Sequence, residues 1–216
     1  MIKNPLLPLL LFIFLFQSVK AQTPADSTLL NKEFFNIEEA LKNPQNVFRL
    51  NLSNQNLQIS DTIWSKFTNL QYLSLKNDHL KQIPTGIGNL KNLRVLDLSG
   101  NDFKVLPLSL SNLTNLQELY LNDDKYFQFK KSISVISKLP NLKSLHLEND
   151  GLKMIPRRIS KLNSLESLYL NNNQFKQLPI VIKGLKNLKY LDLHDNMLKL
   201  PTQDIQNQNL GIKIRF

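Results

Sequence analysis

Along residues 47–193 the apolar positions recur in one figure, L-x-x-L-x-L, seven times. The copies are Val47/Leu50/Leu52, Leu70/Leu73/Leu75, Leu93/Leu96/Leu98, Leu116/Leu119/Leu121, Leu142/Leu145/Leu147, Leu165/Leu168/Leu170 and Leu188/Leu191/Leu193. Their starts are 23, 23, 23, 26, 23 and 23 residues apart, a register that chance does not keep. Five residues past each middle leucine stands a polar residue: Gln55, Asp78, Asn101, Asp124, Asp150, Asn173 and Asn196. Two further on an apolar group returns: Leu57, Leu80, Phe103, Tyr126, Leu152, Phe175 and Leu198. The rear of the unit reads Ile83-Pro84, Leu106-Pro107, Ile155-Pro156 or Leu178-Pro179, followed by apolar residues every third position.

Alternation of apolar and polar residues is the period of a half-buried strand, and a three-residue period after a proline suits a short helical or 3-10 turn. One strand and one turn cannot bury their own apolar side, so the units must stack. The prediction is a parallel sheet on the inner face, its strands about 4.8 Å apart, with seven or eight strands giving about 30–35 Å of surface.

These positions resemble the leucine-rich repeat family, in its 23-residue class, over residues 47–216. The resemblance implies an α/β repeat: a right-handed solenoid with a parallel sheet on the concave face and short helical or 3-10 turns on the convex face. It also implies an Asn at each polar position, bonded to backbone in the turn. Four of the seven repeats depart from Asn, and Asp lacks the amide donor, which leaves part of that ladder in doubt.

The ends read differently. Lys3, the apolar run from Leu6 to Phe16 and the small residues Val19 and Ala21 give residues 1–21 the grammar of a cleaved signal peptide, cut before Gln22. As a helix the run spans about 16 Å, too little for a hydrocarbon core of about 30 Å. Residues 22–46 are expected to comprise a flexible segment (22–31) and a capping helix carrying Phe34, Phe35, Ile37, Ala40 and Leu41. Residues 47–216 form the repeat domain, seven repeats closed by a terminal strand with Ile212, Ile214 and Phe216. Ile59, Ile63, Trp64 and Phe67 are expected to fill the degenerate rear of the first repeat, and the last turn is shortened at Leu200-Pro201. The fourth repeat carries three extra residues near Lys125–Lys131. There Tyr126 is expected to fill the apolar position, leaving Phe127 and Phe129 either tucked over the rim, the cheaper outcome, or projecting as a contact loop.

Chemistry is sparse. The absence of Cys excludes disulfides, thiolate ligands and thiol nucleophiles. His79, His146 and His194 belong to no metal or catalytic motif, and Gly86-x-Gly88 is a repeat turn, not a phosphate loop. The once-per-repeat aspartates Asp78, Asp124 and Asp150 read as ladder positions, not metal ligands. We expect neither a cofactor nor catalysis.

Binding surface is another matter. The outward strand positions run in two columns. The central one is Asn51, Ser74, Asp97, Tyr120, His146, Tyr169 and Asp192; its neighbour is Arg49, Tyr72, Val95, Glu118, Ser144, Ser167 and Tyr190. Tyrosine favours contact surfaces because it joins a rigid apolar body to a polar tip. The candidate ligand-binding set is therefore Tyr72, Arg94, Asp97, Glu118, Tyr120, His146, Tyr169, Tyr190 and Asp192. The net charge of +10 becomes +8 without Lys3 and Lys20. The surplus falls on rear turns, for example Lys66, Lys91, Arg157, Arg158 and Lys186. The inner face instead opposes five basic residues with seven acidic ones, unlike a nucleic-acid groove. The sequence thus predicts a secreted, periplasmic or surface binding module for a protein or peptide, with a surface glycan as the alternative ligand. It is similar to secreted bacterial leucine-rich repeat proteins, with no nucleic acid, no membrane span, and a monomer or a weak dimer through the C-terminal edge.

Overall fold

The computed structural model describes residues 29–56, 60–199 and 211–216. The signal-peptide expectation, residues 22–28, Leu57, Ile59 and the short turn 200–210 lie outside the described residues. The strands are β1 (Glu33–Phe34), β2 (Arg49–Asn51), β3 (Tyr72–Ser74), β4 (Val95–Asp97), β5 (Glu118–Tyr120), β6 (Ser144–His146), β7 (Ser167–Tyr169), β8 (Tyr190–Asp192) and β9 (Lys213–Arg215). They make one sheet in strict sequential order, every pair parallel. Eight steps of about 4.8 Å give a face nearer 38 Å than the expected 35.

Each strand from β2 to β8 buries its central leucine. Leu50, Leu73, Leu96, Leu119, Leu145, Leu168 and Leu191 are paired neighbour to neighbour and closed off from solvent. Behind them run 3-10 turns at Thr85–Asn89, Leu108–Asn112, Arg157–Lys161 and Ile180–Gly184, each with a proline just before it at φ between −55° and −71°. Neighbouring turns approach so closely that a Cβ at Gly86 would run into the carbonyl of Asp61, and one at Gly88 into the backbone of Ser109. In the first repeat Trp64 and Phe67 are fully buried, with ring centroids 6.5 Å apart, as expected of the degenerate turn.

The N-terminal cap corrects the sequence reading. Phe34 is not helical: β1 pairs Glu33 with Arg49 and Phe34 with Leu50, adding a strand ahead of the first repeat. The open edge of a parallel sheet offers unpaired backbone groups, and this segment satisfies them. Asn36 then caps helix α1 (Ile37–Lys42), its side-chain oxygen accepting from the Glu39 amide at 2.9 Å. Ala40 is buried in that helix, and Phe35 is left exposed. Residues 29–31, expected to be flexible, form a helical turn.

The fourth repeat also differs. Its three extra residues turn the rear 3-10 segment into helix α2 (Phe129–Ile136), with Phe129, Ile133, Val135 and Ile136 buried. Tyr126 does not fill the apolar position; it is 58% exposed, and Phe127 takes its place, edge-on to Phe103 at 5.6 Å. Phe129 lies 6.2 Å from Phe127 and is also buried, so both surplus rings belong to the core.

Half of the polar ladder survives the substitutions. Asn101 and Asn173 each accept from the turn of the preceding repeat through Oδ1 and donate through Nδ2 to three carbonyls. Asp78, Asp124 and Asp150 keep the accepting half, taking backbone N–H groups of residues 55, 101 and 124 at 2.7–3.0 Å. Their second carboxyl oxygens are buried without a partner. Burial drives the Asp124 carboxyl up to about 9 and that of Asp150 to about 8, so both are held largely protonated at neutral pH. Just ahead of each ladder residue the backbone is left-handed, at Asn54, Asn77, Gly100, Asp123, Asn149, Asn172 and Asp195, with φ between 53° and 69°. Asn, Asp and Gly are the residues that tolerate it.

Candidate functional site

The two outward columns stand as the alternation requires. Asn51, Ser74, Asp97, Tyr120, His146, Tyr169 and Asp192 are consecutive partners across β2 to β8, and Arg215 of β9 continues the row. Arg49, Tyr72, Val95, Glu118, Ser144, Ser167, Tyr190 and Lys213 form the second row. Arg94 precedes β4 and is exposed.

Because one central position is aromatic on three successive strands, the rings meet. Tyr120 stacks on His146 at 4.0 Å and 19°, and His146 on Tyr169 at 4.1 Å and 8°. Tyr190 of the neighbouring column leans against Tyr169 at 5.4 Å and 54°. Acidic residues fix the polar tips. The Tyr120 hydroxyl donates to Glu118 at 3.0 Å and the Tyr190 hydroxyl to Asp192 at 3.0 Å. His146 Nδ1 is 3.2 Å from Glu148 Oε1. Burial, together with the negative Glu118, raises the Tyr120 phenol well above its ordinary value. At the C-terminal end Asp192 meets His194 at 2.6 Å and Arg215 at 3.6 Å. Burial alone would raise the Asp192 carboxyl; hydrogen bonds from His194 and Tyr190 outweigh it and hold the group below the usual carboxylate range.

Tyr72 lies apart from this cluster, two strands before Tyr120, with the Arg49 guanidinium carbon 4.1 Å from its ring centroid. The site residues therefore fall into two groups: Tyr72 and Arg94 at one end, and Tyr120, His146, Tyr169 and Tyr190 with their acids in the C-terminal half. Asp97 sits between them, its Oδ1 accepting from Ser99 N. The nine basic residues Lys66, Lys81, Lys91, Lys153, Arg157, Arg158, Lys161, Lys183 and Lys186 are all exposed. A concavity of about 860 Å³ lies off this face, among Lys81, Gln82, Val105, Pro107 and Tyr126. It is a gap between the prolyl turns and holds none of the columns' residues. Among the described residues no cluster of three or more His, Asp or Glu is arranged to hold a metal. No described helix is long and apolar enough to cross a membrane.

A family model for a leucine-rich repeat region matches residues 46–129, and a second leucine-rich repeat model matches residues 138–198. The chain belongs to the leucine-rich repeat family. As a leucine-rich repeat protein it is similar in fold to an internalin of Listeria monocytogenes, at 25% identity and a TM-score of 0.60, over 79% of this chain and 48% of that one. It is similar to the plant peptide hormone receptor RGFR1, solved in complex with RGF2, at 31% identity and 0.54, over 72% and 25%. It is also similar to TLR13, solved in complex with ssRNA13, at 27% identity and 0.67, over 83% and 26%. The chain thus spans about half of the internalin and about a quarter of each receptor. No curated protein matches its sequence.

Proposed function

We propose that this leucine-rich repeat protein is a non-catalytic module, exported by the segment 1–21 from a bacterial cell, that binds a protein or peptide along its concave strand face. The observation that carries the reading is the stack of Tyr120, His146 and Tyr169, flanked by Tyr190. The stack makes a preordered ridge of rings with acidic groups at its base, which loses little side-chain freedom on binding. The receptor RGFR1 in its complex with RGF2 supplies a precedent of similar fold.

A glycan is the alternative ligand, and the stacking weighs against it. A sugar packs on an open aromatic face, whereas rings 4.0 and 4.1 Å apart have their facing sides occupied by each other. The same geometry denies bases a place between these rings, and Glu118, Glu148 and Asp192 repel a phosphate backbone. The ssRNA bound by TLR13 is therefore not carried over to this chain.

The test is selection of displayed peptides on the purified protein, with a glycan array run in parallel. Selected peptides should bind at least tenfold more weakly to the Tyr120→Ala/Tyr169→Ala variant, about 1.4 kcal/mol. Glycan binding without peptide binding would decide for the alternative. Peptides indifferent to the double variant would remove the face from the reading.

A further inference from the structure

At the N-terminal end of the concave face is a pocket of about 400 Å³, lined by Arg49, Gln71, Tyr72 and Arg94, with Leu30 and Asn31 on one side. Two arginines line it, on a face whose charge is otherwise mixed. The Arg49 guanidinium carbon lies 4.1 Å from the Tyr72 ring centroid, and its one ion pair among the described residues, to Glu33 at 3.8 Å, is loose. Arg94 is exposed and makes no ion pair among the described residues. A guanidinium fork already placed against an aromatic ring suits a planar, bidentate acceptor. The pocket is also an end: Leu30 and Asn31, from the segment leading into β1, bound it where the face stops.

We propose that this pocket binds the C-terminal carboxylate of an extended peptide that lies along the face. The proposal rests on the peptide reading above and gives that ligand a direction. Its terminal carboxylate sits between Arg49 and Arg94, and the preceding residues run toward the rings. From β3 to Tyr120 on β5 is two strand steps, about 10 Å. An extended chain covers that in about three residues. The side chain three residues before the C-terminus therefore meets the first ring of the stack.

The probes are acetyl-Leu-Ser-Ala-Ala with a free carboxylate, the same peptide amidated, and acetyl-Leu-Ser-Ala-Asp amide. Binding is read by NMR from the Nε–Hε signals of Arg49 and Arg94 and from the His146 ring. The free acid should shift both arginine signals and the His146 signals saturably, and the amide should bind at least tenfold more weakly. Arg94→Gln should lose the same factor without a change in unfolding temperature, because the exposed Arg94 side chain makes no hydrogen bond or ion pair among the described residues and its ladder bonds are made by backbone. Equal binding of acid and amide, with His146 responding to both and the arginines to neither, overturns the pocket while the face stands. Silence at all these signals removes both. If the aspartyl amide binds as tightly as the free acid, the terminal assignment falls. If inorganic phosphate matches the free acid at the arginine signals, the carboxylate assignment falls.

Discussion

The imidazole of His146 lies parallel to the Tyr169 phenol, 4.1 Å away and tilted by 8°, and its Nδ1 is 3.2 Å from Glu148. The ring is fixed on three sides, since Tyr120 covers its other face at 4.0 Å. Aromatic pairs contribute about 0.5–1.5 kcal/mol beyond the area they bury. His146→Ala should therefore lower stability by about 1–3 kcal/mol in urea unfolding, whereas His146→Phe should restore most of it. Equal losses for the two variants would show that the stacking is not what stabilises the column.

The strand register predicts a sharp contrast. Leu119 is 1% exposed at the centre of β5, where an unpaired charge costs several kcal/mol, so Leu119→Asp should unfold the chain. Lys186 is exposed beside a rear turn, and Lys186→Ala should change stability by less than about 0.5 kcal/mol. Circular dichroism melts of the two variants check the register directly.

Both columns were legible in the sequence because a period of two, locked to a buried leucine every 23 residues, leaves one assignment of inward and outward positions. Ring stacking was not, because it depends on the rotamers of Tyr120, His146 and Tyr169 and not on their spacing. The strand at Glu33–Phe34 escaped because it is defined by its pairing with β2, a nonlocal edge that no local period reveals. The carboxylate pocket likewise joins residues 30 and 94 through the fold alone. The left-handed row is present as a signal, an Asn, Asp or Gly ahead of every ladder residue, and marks Asp123 and Asp195 as turn residues.

The insertion in the fourth repeat separates Tyr126 from Phe127. Counting from Asp124 favours Tyr126, yet Phe127 is 7% exposed and packs on Phe103. Phe127→Ala should cost about 3–5 kcal/mol, while Tyr126→Ala should fall within about 0.5 kcal/mol. A larger loss for Tyr126→Ala in urea titrations would reverse the assignment.

The substituted ladder makes stability depend on pH. Asp124 and Asp150 have carboxyls raised by burial from 3.8 to about 9 and about 8, each with one oxygen buried and unpaired. The charges of Asp123, Glu148 and Asp97 add to the effect on this side of the solenoid. Between pH 4 and the folded-state values the native chain holds protons that the unfolded chain has released. Stability must then be greatest near pH 4 as far as these two groups decide it, and must fall as pH rises until both ionise. Each group contributes a slope of at most about 1.4 kcal/mol per pH unit. Replacing both by Asn supplies amide donors of the kind that Asn101 directs at Leu75 and Leu98, and removes the titration. Asp124→Asn/Asp150→Asn should flatten the decline in unfolding temperature between pH 5 and pH 9, with its largest gain over the parent at the alkaline end. A parent chain whose unfolding temperature does not fall over that range would show that the two carboxyls ionise in the folded state at their ordinary values.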